Sequence, residues 1–285
     1  MKFGLALSGG ATRGAAHIGA MKALEEAGLV PSWISGTSAG SMVAALYASG
    51  YSVDEMEDIA LSLTKGIYDT DYLGIISGIL QWIIFKNTNW DGLMKGKKLE
   101  VLMKKWTDGK WMRDSKIPLA ITAVDINSGK TVIFVNNKRI LEDDNHTIYR
   151  DDVTMYEAVR ASIAIPVIFK PIILRGMRLV DGGVTDSVPT DVLKKMGAKK
   201  IIGINLGYSG ERRTEVNNIL EIGNQTIDIM SYRLTKLKTE VSDFIINPHI
   251  YDVGMLEVHR IPELIERGYR AVKDNLYSIN KAINI

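Results

Sequence analysis

The run Gly36-Thr37-Ser38-Ala39-Gly40 forces an abrupt turn between an apolar strand and a helix. Leu29 to Ser35 reads as a short strand, and Ala39 to Ser49 holds strong helix formers with few breakers. A link this short is sterically crowded, and glycines on either side of the serine supply the room it needs. Such a strand–turn–helix is the setting of a nucleophile elbow, where the free amides and positive dipole end of the helix face the serine oxygen. A small-residue turn without chemistry has the same local composition, so other segments must decide.

Lys2 to Leu7 forms a second apolar strand, and Ser8-Gly9-Gly10-Ala11-Thr12-Arg13-Gly14 follows it directly. A helix over about Ala15–Ala27 comes next, with Ile18, Met21, Ala23 and Leu24 on its apolar side and Gly28 closing it. A glycine-rich loop between strand and helix offers unpaired backbone N–H groups to an anion. Ala11 interrupts the glycine pattern of a dinucleotide site, and no Gly-Lys-Ser/Thr ending makes a phosphate loop. No acidic residue stands about 20 residues on at a strand end, where a ribose contact needs one. With Ser38 nearby, an oxyanion hole fits better than a nucleotide site.

A serine hydroxyl needs a base. The four histidines are His17, His146, His249 and His259. His17 lies on the first helix and reads as a packing or loop-bracing residue. His146 follows the acidic run Glu142-Asp143-Asp144, and His249 and His259 flank an irregular segment, although either of the last two suits a Ser–Asp–His order. Asp181 is the stronger candidate: it ends the strand Arg178-Leu179-Val180 and precedes Gly182-Gly183. That position suits either site chemistry or turn capping.

Four blocks in order resemble the patatin-like phospholipases, and in particular bacterial proteins similar to the catalytic domain of neuropathy target esterase. They are Leu5 to Gly19, Gly36 to Gly40, Ala161-Ser162-Ile163-Ala164-Ile165-Pro166 with its continuation to Pro171, and Asp181-Gly182-Gly183. Val188 to Leu193 and, more weakly, Leu264 to Tyr269 add to the likeness. The resemblance implies a Ser–Asp dyad without histidine, Ser38 as nucleophile and Asp181 as base. It further implies oxyanion amides from Gly9, Gly10, Ala11 and Ala39, with Arg13 and Gly14 supporting the loop or Arg13 facing a lipid phosphate. Ala11 departs from the family's usual third glycine, which puts donor geometry rather than donor presence in question. The implied reaction is hydrolysis of fatty-acyl esters of phospholipids or lysophospholipids through an acyl-serine, with no cofactor and no metal.

Two other readings use the same residues. A transferase passes the acyl group to an acceptor other than water; acyl-carrier transacylases, which use a related sheet, usually carry histidine where Thr37 stands. A catalytically silent, membrane-associated scaffold is the third, against which the intact Ser38, Asp181 and loop glycines speak.

Strand signals recur at Pro118–Val124, Thr131–Val135, Ile172–Leu174, Arg178–Val180 and Lys200–Leu206, interleaved with helical patterns at Lys97–Trp106, Met155–Ser162 and Val188–Met196. They predict an α/β three-layer sandwich, a central, mostly parallel sheet with helices on both faces. No linker divides residues 1–285, so one domain is expected, with a core over about 3–205 and a C-terminal helical extension over about 206–285. Glu215 to Thr239 and Ile261 to Asn280 read as amphipathic helices laid against it. Leu73 to Phe85 is apolar around the whole helix and too short for a bilayer, which takes about 20 residues. Nine basic and four acidic residues between Lys86 and Lys116 follow it, so residues 73–86 suit a lid, a peripheral membrane contact or a core helix. A net charge of +2 without interleaved aromatic and basic residues argues against nucleic acid. The absence of cysteine excludes disulfides, and Met1-Lys2 running straight into a strand favours a cytoplasmic location, with peripheral contact at the inner membrane face.

Overall fold

A computed structural model describes residues 2–64, 94–207, 219–238, 241–254 and 257–284. From the N-terminus the chain forms β1 (Gly4–Leu7), α1 (Ala15–Glu26), β2 (Trp33–Thr37), α2 (Ala39–Ser49) and α3 (Val53–Leu63). Next come α4 (Lys97–Trp106), β3 (Leu119–Asp125), β4 (Lys130–Val135), β5 (Thr147–Arg150) and α5 (Met155–Ser162). The last third holds β6 (Ile172–Leu174), β7 (Met177–Asp181), α6 (Thr190–Lys195), β8 (Ile201–Ile204), α7 (Ile219–Lys238), β9 (Phe244–Ile246) and α8 (Ile261–Asn284).

Among the described residues the strands build one sheet in the order β5-β4-β3-β2-β1-β8-β9, with β7 on β3 and β6 on β7. The run β3-β2-β1-β8-β9 is parallel throughout, while β4 and β7 lie antiparallel to β3. Every residue of β1 and β3 is buried, as a sheet covered on both faces requires. Leu5, Leu7, Ile34, Ile121 and Ile202 point into the larger core, filled from α1, α2, α3, α5 and α8. Ala6 and Ala120, one position out of phase, face α6 through Leu193, Val192 and Met196. This is the mostly parallel sheet wrapped by helices that the alternation of strand and helix signals predicts.

The boundaries shift where capping and pairing overrule local composition. Leu29 belongs to the end of α1 rather than to a strand: Gly28 turns left-handed at φ 74° and the Leu29 amide bonds Leu24 O at 2.9 Å. Strand β2 therefore starts at Trp33 and runs on to Thr37, held between β1 and β3. Helix α6 begins at Thr190, after Pro189, and not at Val188. Helix α3 was absent from the sequence expectation, although Ser52 and Glu55 form a capping box at its start. Strands β5 and β9 are likewise additions. Residues 73–86, read as lid, membrane contact or core helix, lie outside the described residues. Among the described residues no helix is long and apolar enough to cross a membrane.

One packing detail fixes the C-terminal helix on the domain. A Cβ at Gly19 would lie 1.8 Å from Ile265 O, and one at Gly268 would lie 1.9 Å from Ala16 O. Helices α1 and α8 thus meet backbone to backbone, each through the glycine the other needs. Tyr269 donates to Glu26 at 2.6 Å and Lys273 pairs with it at 2.9 Å, closing the edge of the contact.

Gly268→Ala should force α1 and α8 apart and destabilise the protein by about 1–3 kcal/mol, the usual range for overpacking. Gly223→Ala, in α7 with nothing within 4 Å of the added methyl, should instead stabilise by about 0.5–1 kcal/mol. Denaturant unfolding of both variants reads the two signs; a Gly268→Ala protein as stable as the parent contradicts the close approach.

Candidate active site

Ser38 follows the last residue of β2 and caps α2 at φ 53° and ψ −124°, a region L-residues rarely occupy. The surrounding contacts hold it there. A Cβ at Gly36 would sit 2.4 Å from Gly40 O, and one at Gly40 would sit 2.4 Å from Leu7 O and 2.6 Å from Ser8 O. Both glycines of the motif are therefore required by close backbone approach, and the elbow is pressed against the end of β1. Gly14 closes the same contact from the other side, because its Cβ would meet Ala39 Cβ at 2.5 Å.

The glycine-rich loop rests on the elbow: a Cβ at Gly9 would lie 3.2 Å from Ser38 Cβ and 3.9 Å from its Oγ. Ala11 adopts φ 50°, so its methyl does not prevent the left-handed backbone that a glycine would take. Among the described residues the amides of Gly10 and Ala11 have no hydrogen-bond partner, and the first amides of α2, at Ala39 and Gly40, have none within the helix. Gly9 departs from the sequence reading: its amide donates to Ser187 O at 3.3 Å and is already engaged. The available donors are therefore Gly10, Ala11 and Ala39. Ser8 locks the loop by accepting from the Leu206 amide at 2.7 Å and donating to Gly9 O at 2.9 Å.

His17 braces this loop from below. Its Nε2 lies 2.8 Å from Ser8 O, and burial pushes its pKa down to about 4, so the ring is neutral with its proton on Nε2. Arg13 is buried and donates through Nε to Val253 O at 2.9 Å, which makes it a brace between the loop and the C-terminal part of the chain. Next to Val253, Asp252 is gripped by Arg267 and Arg260, whose guanidinium groups hold its carboxyl well below the usual carboxylate range. No sequence signal linked Arg13 to that cluster.

Asp181 ends β7, and a Cβ at the next residue, Gly182, would lie 2.3 Å from Thr122 O. Its Oδ1 accepts from the Gly183 amide at 2.8 Å, while Oδ2 is buried without a partner of standard hydrogen-bond geometry. Burial pushes the Asp181 carboxyl from 3.8 up to about 6, against the opposing pull of the Ser38 hydroxyl and the Gly183 amide. The Ser38 hydroxyl thus lies close enough to the carboxyl to favour its charged form, although the two make no hydrogen bond of standard geometry.

Ser38 and Asp181 line one cleft of about 750 Å³, counting its open mouth. Gly9, Gly10, Ala11 and Arg13 form one wall, and Ile165, Pro166 and Val184 supply an apolar one. Helix α7 covers the cleft with Ile227, Ser231 and Tyr232, and Ser231 Oγ donates to Gly183 O at 2.7 Å. The amphipathic pattern of Glu215–Thr239 predicted a helix against the domain but not its place beside Ser38. None of the histidines lines the cleft; His146, His249 and His259 are exposed.

A family model described as patatin-like phospholipase matches residues 5–194. The uncharacterized protein YqhO of Bacillus subtilis is 30% identical over 222 residues, covering 74% of this chain and 73% of its own length. Patatin-like phospholipase domain-containing protein 6 of Mus musculus is 27% identical over 209 residues, covering 73% of this chain and 14% of its own. Lysophospholipase NTE1 of Scheffersomyces stipitis is 28% identical over 222 residues, covering 75% and 12% respectively, so the chain spans a small part of these larger relatives. Among solved structures, VipD from Legionella pneumophila matches with a TM-score of 0.53 at 14% identity, over 97% of this chain and 67% of that one, a likeness of fold.

Burial of Asp181 has a measurable consequence. Its native pKa of about 6 exceeds the unfolded 3.8, so its contribution to stability is complete below that lower value and is lost as pH rises through the upper one. At alkaline pH the buried carboxylate costs about 3 kcal/mol, at about 1.4 kcal/mol per pKa unit. Asp181→Asn keeps an acceptor for the Gly183 amide and should be more stable than the parent by about 2–3 kcal/mol at pH 8. Denaturant titrations should show that gap closing near pH 4; an equal gap at both pH values would count against a buried titrating carboxylate.

Proposed function

This chain belongs to the patatin-like phospholipase family, a family of lipid ester hydrolases, and on that premise we propose that it cleaves fatty-acyl esters of phospholipids or lysophospholipids with Ser38 as nucleophile and Asp181 as base. The observation that carries this reading is the Asp181 carboxyl, buried beside the Ser38 hydroxyl with its proton affinity raised to about 6. An ordinary aspartate is too weak a base for a serine, and desolvation brings it toward the useful range.

Asp181 takes the Oγ proton as Oγ attacks the ester carbonyl carbon. The carbonyl oxygen becomes an oxyanion and is held by the amides of Gly10, Ala11 and Ala39, each worth roughly 3 kcal/mol to the transition state. Collapse breaks the bond to the alkoxy oxygen, the leaving alcohol takes the proton from Asp181, and an acyl-Ser38 ester remains. Water then attacks that ester while Asp181 accepts its proton; the second tetrahedral intermediate releases the fatty acid and returns the proton to Ser38. Ile165, Pro166, Val184 and Ile227 offer the acyl chain an apolar wall. His17 takes no part, because it is neutral and its Nε2 proton is committed to Ser8 O.

Ser38→Ala and Asp181→Asn should each lower kcat by about three orders of magnitude or more on a soluble acyl ester. His249→Ala and His259→Ala should retain most of the activity, and a fluorophosphonate should label the parent but not Ser38→Ala. Because the base must be unprotonated, the rate should fall as pH drops below about 6 and show no histidine-dependent step. Turnover that survives Asp181→Asn but is lost in either histidine variant would replace the dyad with a triad.

A further inference from the structure

Strands β2 and β7 both pair with one edge of β3. Because β4 occupies the other edge along Ala120–Asp125, β2 and β7 must share the remaining one. Strand β2 ends with Thr37 opposite Thr122, and β7 takes over with Asp181 opposite Ala123. The two side chains proposed for the dyad therefore flank a seam between two strands.

At this seam a rung of the parallel ladder is missing. The Ile34 amide bonds Pro118 O at 2.9 Å, and the two-residue period of a parallel pair would place the Ser38 amide on Thr122 O. Instead, the Ser38 amide donates to Ser162 Oγ at 2.8 Å, and that hydroxyl donates to Thr122 O at 2.7 Å. A side chain from the end of α5 is thus inserted into the ladder where Ser38 departs from β2. It satisfies a backbone donor and a backbone acceptor that the left-handed turn would otherwise leave unpaired in a fully buried place. Two residues on, Ala164 O accepts the Asp181 amide at 2.9 Å.

We propose that Ser162 is a positioning residue for the reaction: its hydroxyl replaces the missing rung, and with Ala164 O it makes one short segment set the separation of Ser38 from Asp181. Neither group touches substrate. Both act on backbone amides, one of the nucleophile and one of the base, so a shift of this segment moves the two reacting side chains relative to each other. A second tie runs the same way, since Thr37 Oγ1 donates to Asp186 O at 2.9 Å and Ser35 Oγ to Pro189 O at 2.7 Å, but both reach the chain beyond Asp181. Among the described residues, the Ser162–Ala164 segment is the one that accepts from the backbone amides of both residues. This inference rests on the Ser38–Asp181 reading above.

The test compares Ser162→Ala, Ser162→Gly and Ser162→Cys with the parent and Ser38→Ala, all below their melting temperatures, on a soluble acyl ester and on a fluorophosphonate. Ser162→Ala leaves the Ser38 amide and Thr122 carbonyl unbridged, and should lower kcat and the labelling rate together by about 30-fold with KM little changed. Ser162→Gly opens room for one water between the same two groups and should recover part of that loss. Ser162→Cys keeps a weak donor and acceptor in place, should fall between Ala and the parent, and carries the comparison if Ser162→Ala does not fold. A folded Ser162→Ala or Ser162→Cys protein with lowered melting temperature but parental kcat and labelling rate overturns the inference. A parent whose turnover is unaffected by Ser38→Ala overturns the dyad instead, so the two failures are distinguishable.

Discussion

The site depends on a change of strand partner along β3. For four residues that edge belongs to β2, and for the next three it belongs to β7, running the opposite way. Where a parallel and an antiparallel strand meet end to end on one edge, each terminus leaves backbone groups that need another partner. Here the gap is filled by the Ser162 hydroxyl, and the two termini become the positions of Ser38 and Asp181. Two residues far apart in the chain are thus brought together beside a third strand, Asp181 by pairing with Ala123 and Ser38 through the Ser162 hydroxyl, a far stiffer reference than a loop.

That rigidity is held against two local costs. Ser38 and Ala11 sit at φ 53° and 50°, conformations that cost about 1–3 kcal/mol each for a non-glycine residue. Asp181 keeps a carboxyl out of water with one oxygen unbonded. Neither arrangement survives alone; each is over-determined by glycines too closely packed to accept a methyl and by a sheet buried on both faces. The features that destabilise the native state are the ones that set the serine at the cleft and give the aspartate a raised proton affinity.

Much of this was legible in the sequence because the constraint is local. The glycines around Ser38 and after Asp181 mark close backbone approach, and such approach leaves a composition that can be read directly. The bounds of α4 and α5 were also readable from their helical patterns, and in the structure the Thr154–Glu157 capping box starts the second. What escaped was decided by distant partners. The orientation of the Gly9 amide depends on Ser187, and β5 and β9 are short segments that become strands only by pairing with β4 and β8. Ser162 stood within a recognisable block, yet its role is a matter of which rung lies opposite it. The placement of α7 over the cleft follows from tertiary contact that an amphipathic pattern does not specify.

The C-terminal helix is tied to the glycine-rich loop as well as to the scaffold. Helix α8 is seated on α1 through Gly19 and Gly268, and α1 begins where the glycine-rich loop ends. From α8, Arg267 reaches back to Asp252, and the neighbouring Val253 carbonyl receives Arg13 from within the loop. Both attachments, through α1 and through the Arg13 bond, hold the C-terminal end of the loop, while Ser8 fixes its start by accepting from the Leu206 amide. Unpaired amides stabilise a developing oxyanion only if they do not have to reorganise when charge appears. An element remote from the cleft thus helps to fix the backbone that carries the Gly10 and Ala11 amides, the donors of the proposed reaction.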